Sequence, residues 1–319
     1  MSFSRMLIGA LFMVGVPALQ AASLQPAPAV PSSNASQAMM LGVTRAQDRV
    51  VAVGDHGIVL LSDDHGREFR QAQAVPLSAP LTSVSFADAD HGWAVGHWGA
   101  VLATIDGGEH WTIQRLSSEE DRPLFAVHFF DTHRGVAVGL WSLVLTTDDG
   151  GATWIEQSLP APPGSPRADL NLISLFADGR DRLYATAERG MLLRSDDRGH
   201  SWHYLNTGYD GSLWSGAVLP DGELLVGGQR GKLLRGSADG SFWKRIPLKS
   251  RSSITTIRVL GRQVLAAGLD GLLVSSGDGG RTFKEERTAE GVSITAVLAD
   301  NPERTLFFSR RGVIPEPQP

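Results

Sequence analysis

Residues 138–154 read VGLWSLVLTTDDGGATW. A short apolar run is followed by a turn of the form Ser/Thr-x-Asp-x-Gly-x-x-aromatic, which contains Asp149 and Gly151 and ends at Trp154. Aspartate suits such a turn because its carboxylate accepts hydrogen bonds from backbone N–H groups just downstream, and glycine suits it because it tolerates a positive φ. The stretch therefore predicts a β-strand, a tight turn and a second strand that begins at the aromatic residue.

The same turn pattern recurs along the chain. Five copies are complete, and a degraded sixth copy covers residues 236–243, where we interpret the acid as shifted by one position. The aromatic residues that close the turns lie 40 to 48 residues apart, at Phe69, Trp111, Trp154, Trp202, Trp243 and Phe283. A repeat of this length is typical of propeller blades.

A second repeated signal lies upstream of each turn. It is a strand followed by a two-residue turn and, in most copies, a glycine; seven copies run from Gly57 to Gly312. With the apolar run before it, each unit holds four short strands, which we name A (inner), B, C and D (starting at the aromatic). We expect an all-β fold, a seven-bladed β-propeller of four-stranded blades with Asp-box repeats, over residues 38–319.

The seventh unit is shorter than the others. It has strands A and B and a short C before the final residues PEPQP. Propellers can close by taking a strand from the other terminus, which removes exposed edges. We therefore expect residues 23–30 to supply the outer strand of the last blade, where Pro26 and Pro28 are tolerated because that strand lies at an edge.

The N-terminus predicts export. Residues 1–22 contain Arg5, an apolar run that is too short to span a bilayer, and small residues at Ala21 and Ala22, as in a signal peptide. Residues 23–37 form a leader rich in Pro, Ala and Ser, and no later stretch is apolar enough to cross a membrane. The chain has no cysteine, hence no lipoprotein attachment site. We expect a periplasmic protein, or a thylakoid lumen protein if the host is photosynthetic.

The repeated turns are interpreted as structural rather than catalytic, because six copies spaced around a ring cannot line one site. In this interpretation the aspartate caps its own turn and the aromatic packs between blades. The structural Asp-box residues are Asp64, Asp106, Asp149, Asp197 and Asp278 with Phe69, Trp111, Trp154, Trp202 and Phe283. Residues 88–92 have a metal-like acid spacing but lack further ligands. We expect no metal and no cofactor.

The B–C turns are the candidates for specificity, because their residues vary while the framework repeats. If strands alternate in direction, these turns share one face with the D–A loops, including the long loop 158–170. We predict a partner-binding face with a basic arc opposite two tryptophans, made of Arg189, Arg230, Arg310, Arg311, His97, Trp98 and Trp141. Trp and Arg often carry interface energy, and Arg binds carboxylates through paired donors. A net charge of −5 argues against bulk binding of nucleic acid.

Two alternative functions remain open at the level of sequence: a glycoside hydrolase, of either the sialidase or the two-carboxylate type, and a carbohydrate-binding propeller. A sialidase-like glycoside hydrolase needs a Tyr nucleophile and an arginine clamp; Tyr184, Tyr204 and Tyr209 are present, and an Arg-Ile-Pro stretch occurs at 245–247, in the wrong register for that family. A two-carboxylate glycosidase would require acids about 5–10 Å apart, which sequence does not reveal. A carbohydrate-binding propeller would require aromatics along a groove.

Two stretches carry a family resemblance. Residues 88–96 (DADHGWAVG) and 131–139 (DTHRGVAVG), together with the export signal and the Ser/Thr-x-Asp-Gly-Gly-x-x-Trp turns, resemble the photosystem II assembly and stability factors of chloroplasts and cyanobacteria. The resemblance covers about residues 38–314. It implies a non-enzymatic propeller that binds protein and helps a membrane protein or envelope complex to assemble, with an arginine patch to which Arg189, Arg230, Arg310 and Arg311 correspond in role. Relatives also occur in non-photosynthetic bacteria, so the resemblance does not establish photosynthesis.

Overall fold

The computed structural model describes residues 26–117, 119–301 and 304–314. The predicted signal peptide lies outside these residues. Within them, no helix is long or apolar enough to cross a membrane. The helical segments described are single 3-10 turns, at Ala35–Gln37, Asp55–Gly57, His97–Gly99, Leu140–Ser142, Gln229–Gly231 and Leu269–Gly271.

The described strands form seven antiparallel sheets, which follow one another in chain order. Blade 1 contains β1 (Met40–Ala46), β2 (Arg49–Gly54), β3 (Val59–Ser62) and β4 (Arg70–Gln71). Blade 2 contains β5 (Leu81–Phe86), β6 (Gly92–Gly96), β7 (Val101–Thr104) and β8 (Thr112–Arg115). Blade 3 contains β9 (Leu124–Phe129), β10 (Gly135–Gly139), β11 (Val144–Thr147) and β12 (Ile155–Glu156). Blade 4 contains β13 (Leu172–Ala177), β14 (Leu183–Ala187), β15 (Met191–Ser195) and β16 (His203–Asn206).

The second half of the ring follows the same plan. Blade 5 contains β17 (Leu213–Val218), β18 (Leu224–Gly228), β19 (Lys232–Gly236) and β20 (Trp243–Ile246). Blade 6 contains β21 (Ile254–Leu260), β22 (Gln263–Gly268), β23 (Leu272–Ser276) and β24 (Lys284–Arg287). Blade 7 contains β25 (Ile294–Asn301), β26 (Arg304–Ser309) and β27 (Gly312–Ile314).

The inner strands meet around a central axis. Each A strand contacts the A strand of the next blade, and β25 contacts β1, so the ring is closed. The predicted all-β, seven-bladed propeller is confirmed. The B strands of blades 2 to 5 are buried along their whole length, because neighbouring blades cover both of their faces. This explains their runs of Val, Ala and Gly, since a strand buried on both faces has no polar side.

The Asp-box turn has the predicted capping geometry. In blade 3 the Thr147 hydroxyl donates to Asp149 Oδ1 at 2.8 Å, and the N–H of Gly151 donates to Thr147 Oγ1 at 2.8 Å. The N–H of Thr153 donates to Asp149 Oδ1 at 2.9 Å. The same three bonds recur around Asp64, Asp106, Asp197 and Asp278. The carboxylate is therefore engaged by its own hairpin.

The degraded copy in blade 5 differs from the prediction. The acid keeps its spacing, because Ser237 Oγ donates to Asp239 Oδ1 at 2.6 Å as in the other turns. The change lies downstream, where the N–H of Phe242 bonds to Ser237 Oγ and Trp243 follows one residue earlier than the aromatics elsewhere. The prediction that the acid is shifted was wrong: the turn is one residue shorter.

Each closing aromatic packs into the seam between its own blade and the preceding one. Trp111 and Trp202 are buried among apolar residues of two blades, and Phe69 meets Phe308 of blade 7 edge to face, with ring centroids 5.9 Å apart. Trp154 meets Phe129 of its own blade edge to face at 5.8 Å and packs against a cluster that includes Trp93 and Val101 of blade 2. The predicted role of these aromatics as packing between blades is confirmed by these contacts.

The leader does not add a strand to blade 7 within the described residues. The carbonyl of Ala27 accepts a hydrogen bond from the N–H of Ser78, and the N–H of Ala29 donates to the carbonyl of Val75, both in the D–A loop of blade 1. Residues 23–25 lie outside the described residues. The prediction that residues 23–30 complete the last blade is therefore wrong for residues 26–30, which pair with blade 1 instead.

A neighbouring part of the N-terminal region does help to close the ring. The turn Ala35–Gln37 lies against Gly312, where an added Cβ would stand 1.8 Å from the carbonyl oxygen of Ser36. At Gly57 an added Cβ would similarly stand 1.9 Å from the carbonyl of Leu77 in a D–A loop. The turn Ala35–Gln37 therefore packs against the B–C turn of blade 7, as D–A loops pack against the B–C turns of other blades.

Candidate partner-binding face

The B–C turns form one face of the ring together with the D–A loops, which we call the turn face. Most of these turns carry a residue with left-handed φ at the tip, as at Trp141, Arg189 and Arg230. The following glycine has positive φ as well and lies against the D–A loop, so the tip side chain is directed outward while the turn is fixed beneath it.

Blade 3 departs from this plan in a way that presents a tryptophan. Ser142 replaces the glycine and adopts φ 57°, a strained value for a residue with a Cβ. Its hydroxyl and N–H both bond to the carbonyl of Leu170, at 3.2 and 2.7 Å, which holds it in place. The preceding Trp141 is 51% exposed, a large exposed area for this side chain. Solvent-exposed tryptophan is typical of an interaction surface.

In blade 2, the two residues predicted for the partner-binding face are His97 and Trp98, and both turn residues are hydrogen-bonded to Asp121. His97 Nδ1 lies 3.0 Å from Asp121 Oδ2, and the N–H of Trp98 donates to Asp121 Oδ1 at 2.6 Å. Both side chains are half-buried. Asp121 thus ties the turn to the D–A loop, which leaves Trp98 less available to a partner than Trp141.

The predicted arginines divide into two groups. Arg189 and Arg230 stand at neighbouring turn tips of blades 4 and 5, and both are exposed. Arg189 Nη2 lies 3.6 Å from Asp169 Oδ1 in the long D–A loop, so part of its charge is compensated. Arg310 and Arg311 are exposed on blade 7, across the ring from Trp141.

Tyr209 joins the two tips of blades 4 and 5. It lines a cleft of about 300 Å³ together with Arg189 and residues 162–165 of the long loop. Its hydroxyl donates to the carbonyl of Gln229 at 3.1 Å, and Lys232 Nζ lies 5.6 Å from its ring centroid. Burial raises the pKa of the Tyr209 phenol, and the nearby Arg230 charge lowers it in part. The phenol is thus a neutral contact between cationic tips.

A second set of arginines donates hydrogen bonds to backbone carbonyls of the B–C turns. The sequence analysis did not predict this set. Arg122 Nη2 donates to the carbonyl of Trp141 at 3.2 Å, Arg115 Nη1 to that of Gly99 at 2.6 Å, and Arg287 Nη1 to that of Asp270 at 3.2 Å. These arginines come from D strands or D–A loops, 16 to 19 residues from the tips in sequence. Because each arginine and the turn that it contacts lie on separate segments of the chain, no short sequence pattern predicts these contacts.

The mouth of the axial channel opens in the middle of the turn face. The seven A strands enclose a channel of about 700 Å³. The second residue of each A strand stands at this mouth. In blades 2, 6 and 7 it is a threonine whose hydroxyl bonds to the first carbonyl of the next A strand, as from Thr82 to Leu124 at 2.8 Å.

In blades 3, 4 and 5 the same position holds Phe125, Ile173 and Trp214, all half-buried and lining the channel. Leu41 holds the position in blade 1, so the longest contiguous apolar stretch of the mouth lies on the blades whose tips carry Trp141, Arg189 and Arg230. An alignment of the A strands with one another reveals this pattern in the sequence. Apolar surface beside arginines is the composition of a protein interface.

Further from the turn face, the channel lining includes basic side chains and a histidine. Arg45 and Arg258 line it, and Arg258 Nε donates to the carbonyl of Val297 at 2.9 Å. His128 also lines it, with its ring edge to face against Phe130 at 4.7 Å. Burial lowers the pKa of His128 to about 4, so its imidazole is neutral at pH 7. The lining residues that the structure describes include no carboxylate.

The sialidase interpretation finds no support in the placement of its residues. Tyr184 is buried in the core and stacked on Phe176, and the Tyr204 hydroxyl bonds to the carbonyl of Pro160. Burial raises the pKa of both phenols, opposite to the activation that a nucleophile needs. Arg245 lies on β20, an outer strand, away from the channel.

The carboxyl groups do not favour a general acid either. In Asp63, Asp88, Asp106, Asp131 and Asp197 burial raises the pKa, but hydrogen bonds and nearby cationic groups lower it by more, and in Asp149 and Asp239 hydrogen bonds dominate, so the pKa of each of these groups is lowered. A glycosidase general acid needs a raised pKa. The described residues also hold no group of three or more His, Asp or Glu side chains placed to bind a metal ion.

The family model described as photosynthesis system II assembly factor YCF48 matches residues 71–261, more than half of the chain. The chain belongs to this family. The resemblance predicted from residues 88–96 and 131–139 is thereby confirmed. The matched region includes all of blades 2 to 5, with Trp141, Arg189 and Arg230.

Solved structures of YCF48 proteins share the fold. One, titled "YCF48 bound to D1 peptide", superposes with a TM-score of 0.73 at 20% identity and covers 87% of this chain and 92% of its own. Another, YCF48 from Cyanidioschyzon merolae, superposes with a TM-score of 0.72 at 17% identity and covers 92% and 97%. No curated protein matches the chain.

Proposed function

We propose that this YCF48-family chain is a non-catalytic, exported scaffold that binds a protein segment on its turn face and assists the assembly of a membrane protein or envelope complex. The observation that carries the proposal is that Trp141, Arg189 and Arg230 stand at turn tips of three consecutive blades, the same blades that supply Phe125, Ile173 and Trp214 to the channel mouth. Family membership supports a protein as the partner, since one relative is described as bound to a peptide.

The chemistry of this surface sets the kind of segment that fits it. Arginine guanidinium groups bind carboxylates through paired hydrogen bonds, whereas Trp141 and the half-buried Phe125 and Trp214 offer apolar area. A segment with acidic side chains and at least one apolar anchor satisfies both. The absence of carboxylates among the described channel residues and the neutral, buried tyrosines support a binding role over hydrolysis.

Export is the second part of the proposal. Residues 1–22 have the charge, apolar length and small residues of a signal peptide, and the mature chain would then act in the periplasm, or in the thylakoid lumen of a photosynthetic host. Sequencing of the mature N-terminus after cell fractionation tests this part. A start near Ser23 in the periplasmic fraction agrees with it, and an intact Met1 in the cytoplasm contradicts it.

The binding role is tested with a triple variant, R189A/R230A/R310A. Removal of three exposed cations from the turn face should reduce recovery of a partner from native envelopes by at least tenfold, because each charge-assisted contact at an interface contributes about 1 to 3 kcal/mol. The partner is identified by mass spectrometry with the wild-type protein, and its recovery is then measured for each variant.

A matched control separates location from charge. Arg67, Arg134 and Arg180 are exposed arginines on the opposite face, in an Asp-box turn and in A–B loops. The variant R67A/R134A/R180A has the same net charge as the test variant and should recover the partner like the wild type. Equal recovery by all three proteins excludes the turn-face arginines as the binding site.

A further inference from the structure

Three irregular features of the ring meet at one place on the turn face. Residues 158–170 form the longest of the described D–A loops, Ser142 takes the place of a turn glycine, and Trp141 is 51% exposed. Leu170 links them, because its carbonyl accepts hydrogen bonds from the N–H and the hydroxyl of Ser142, and its N–H donates to Ser142 Oγ at 3.1 Å. The end of the long loop is therefore fixed to the turn that presents Trp141.

The beginning of the same loop is fixed as well. Leu159 packs against the apolar cluster of blades 3 and 4, and the carbonyl of Pro160 accepts a hydrogen bond from the Tyr204 hydroxyl at 3.0 Å. Between the two ends, the N–H of Ser165 donates to the carbonyl of Pro162, which is buried. Each proline also fixes one backbone dihedral angle. The loop is thus a preformed wall, and a preformed surface lowers the entropic cost of binding.

A cleft of about 300 Å³ lies between this loop, the turn tip of blade 4 and residues 206–210, and we call it the loop cleft. Leu170 and Met191 are 0% and 7% exposed and Tyr209 is half-buried, so these lining side chains give the cleft apolar surface. At Gly164 and Gly208, which also line it, an added Cβ would meet no atom within 4 Å. These two positions leave the cleft open, and a cleft of this size with apolar residues in its wall admits a side chain of another molecule.

Arg189 places a cation at the edge of the loop cleft. Its side chain is 56% exposed, and its one ion pair among the described residues is to Asp169 Oδ1 at 3.6 Å, which is too long for a hydrogen bond. Asp169 Oδ1 is buried and has no hydrogen-bond partner. The guanidinium donors of Arg189 are therefore available to a ligand, and the fork that they form fits a carboxylate.

Asp210 is the other charged residue that lines the cleft, and it is exposed. Its negative charge disfavours a run of acidic residues across the cleft, because like charges repel each other. The edge of the cleft therefore fits one carboxylate, at Arg189, beside an uncharged residue.

We propose that the loop cleft receives an apolar side chain of the partner segment, while a neighbouring acidic residue of that segment pairs with Arg189. The inference rests on the proposed role as a protein-binding scaffold and adds a specificity-determining pocket to it. The cleft is continuous with the turn face, because Arg189 belongs to both and Leu170 holds the turn that presents Trp141. This continuity favours a protein segment as the occupant over a separate small molecule.

The test uses two labelled synthetic peptides, Ser-Gly-Leu-Asp-Gly-Ser and Ser-Gly-Asp-Leu-Gly-Ser, which cover both directions of the segment. Binding to the full-length mature protein is measured by fluorescence anisotropy, and the peptide that binds more tightly serves as the probe. Replacement of its leucine by glycine should weaken binding at least fivefold, because the apolar contact is lost. Replacement of its aspartate by asparagine should also weaken binding at least fivefold, because the charge that pairs with Arg189 is lost.

Asn206 offers a blocking variant with a matched control. It is exposed at the end of β16 and lines the cleft, where its Oδ1 accepts a hydrogen bond from the N–H of Gly208 at 2.8 Å. N206W fills the cleft with a large ring and should bind the probe at least tenfold more weakly. N206A loses the same hydrogen bond without added bulk and should bind the probe like the wild type. Both variants should keep a melting temperature close to that of the wild type, since the position is exposed.

A second pair of variants assigns the carboxylate to Arg189. In R189M, the probe and its asparagine analogue should bind equally, because the cation that distinguishes them is gone. In R310A, the probe should keep its advantage over the analogue, because Arg310 stands on blade 7 and does not line the cleft.

Specific results overturn the inference. Absence of binding by both peptides, equal binding by N206W and N206A, or a probe advantage that persists in R189M each exclude this use of the cleft. Dimerisation of the protein that N206W abolishes would assign the cleft to a second copy of the chain and not to a partner.

The two proposals fail in different ways. If N206W recovers the native partner like the wild type while R189A/R230A/R310A does not, the pocket inference is wrong and the turn-face proposal stands. If R189A/R230A/R310A recovers the partner like the wild type while N206W alone loses it, the turn-face arginines are excluded and the cleft remains the binding site.

Discussion

At the scale of the residue, Asp149 links the repeated turn to acid stability. Hydrogen bonds from the Thr153 hydroxyl and N–H and from the Thr147 hydroxyl lower the pKa of Asp149 to about 2, from an ordinary value of 3.8. A carboxyl group with a depressed pKa binds fewer protons folded than unfolded, so it stabilises the fold above its ordinary pKa and loses that effect as pH falls toward 2. Wild-type stability should therefore drop between about pH 4 and pH 2.

The variant D149N should show a shallower drop over that window, because its side chain has no proton to gain. It should also be less stable at pH 7, since an amide is a weaker acceptor for the turn N–H than a carboxylate. Urea unfolding at a series of pH values measures both effects. D148N is the matched control: Asp148 lies in the same turn, 3.8 Å from His200 Nε2, and its replacement should leave the slope unchanged. A D149N slope equal to that of the wild type would refute the capping role.

At the scale of the element, the hairpin that carries the closing aromatic stabilises a seam. Trp202 is buried between blades 3 and 4, and its Nε1 donates to the carbonyl of Gly199 at 3.0 Å. W202A should lower the free energy of unfolding by about 3 to 5 kcal/mol, because it removes a large buried ring and leaves a cavity. W141A removes a ring of the same size from an exposed turn tip and should change stability by about 0.5 kcal/mol or less. Denaturant unfolding of the two variants compares them directly; similar losses would contradict the assignment of Trp202 to packing and Trp141 to the surface.

The strands and turns were predictable from the sequence where the residues that form them are close together in the chain. The Ser/Thr, Asp, Gly and aromatic of a hairpin lie within eight residues, so each turn carries its own signal in the sequence. The turn tips at Trp141, Arg189 and Arg230 followed from the same spacing. The partners that brace them did not, because Arg122 and Asp121 reach the tips from the D–A loops. The leader was misplaced for a related reason: residues 26–30 contain two prolines and no periodic pattern, so nothing local distinguishes the edge of blade 7 from the loop of blade 1.

At the scale of the whole molecule, the ring is closed where its two ends meet. Phe308 of blade 7 is fully buried and contacts Phe69 of blade 1, and Thr295 Oγ1 donates to the carbonyl of Met40 at 2.5 Å. Each blade buries its faces only against its neighbours, so opening one seam exposes two blades while the others keep theirs. This seam also joins residues more than 200 positions apart, so its closure costs the most chain entropy during folding.

F308A should therefore lower the free energy of unfolding by about 3 to 5 kcal/mol and should loosen the molecule locally. Native-state hydrogen exchange should become faster in β1, β2, β25 and β26 and remain slow in blades 3 to 5. F242A is the control, because Phe242 is an exposed ring in an Asp-box turn of blade 5 and seals no seam. Faster exchange spread evenly around the ring would show that the blades open as one cooperative unit. Faster exchange confined to blades 7 and 1 would locate the weak point of the propeller at the seam where its two ends meet.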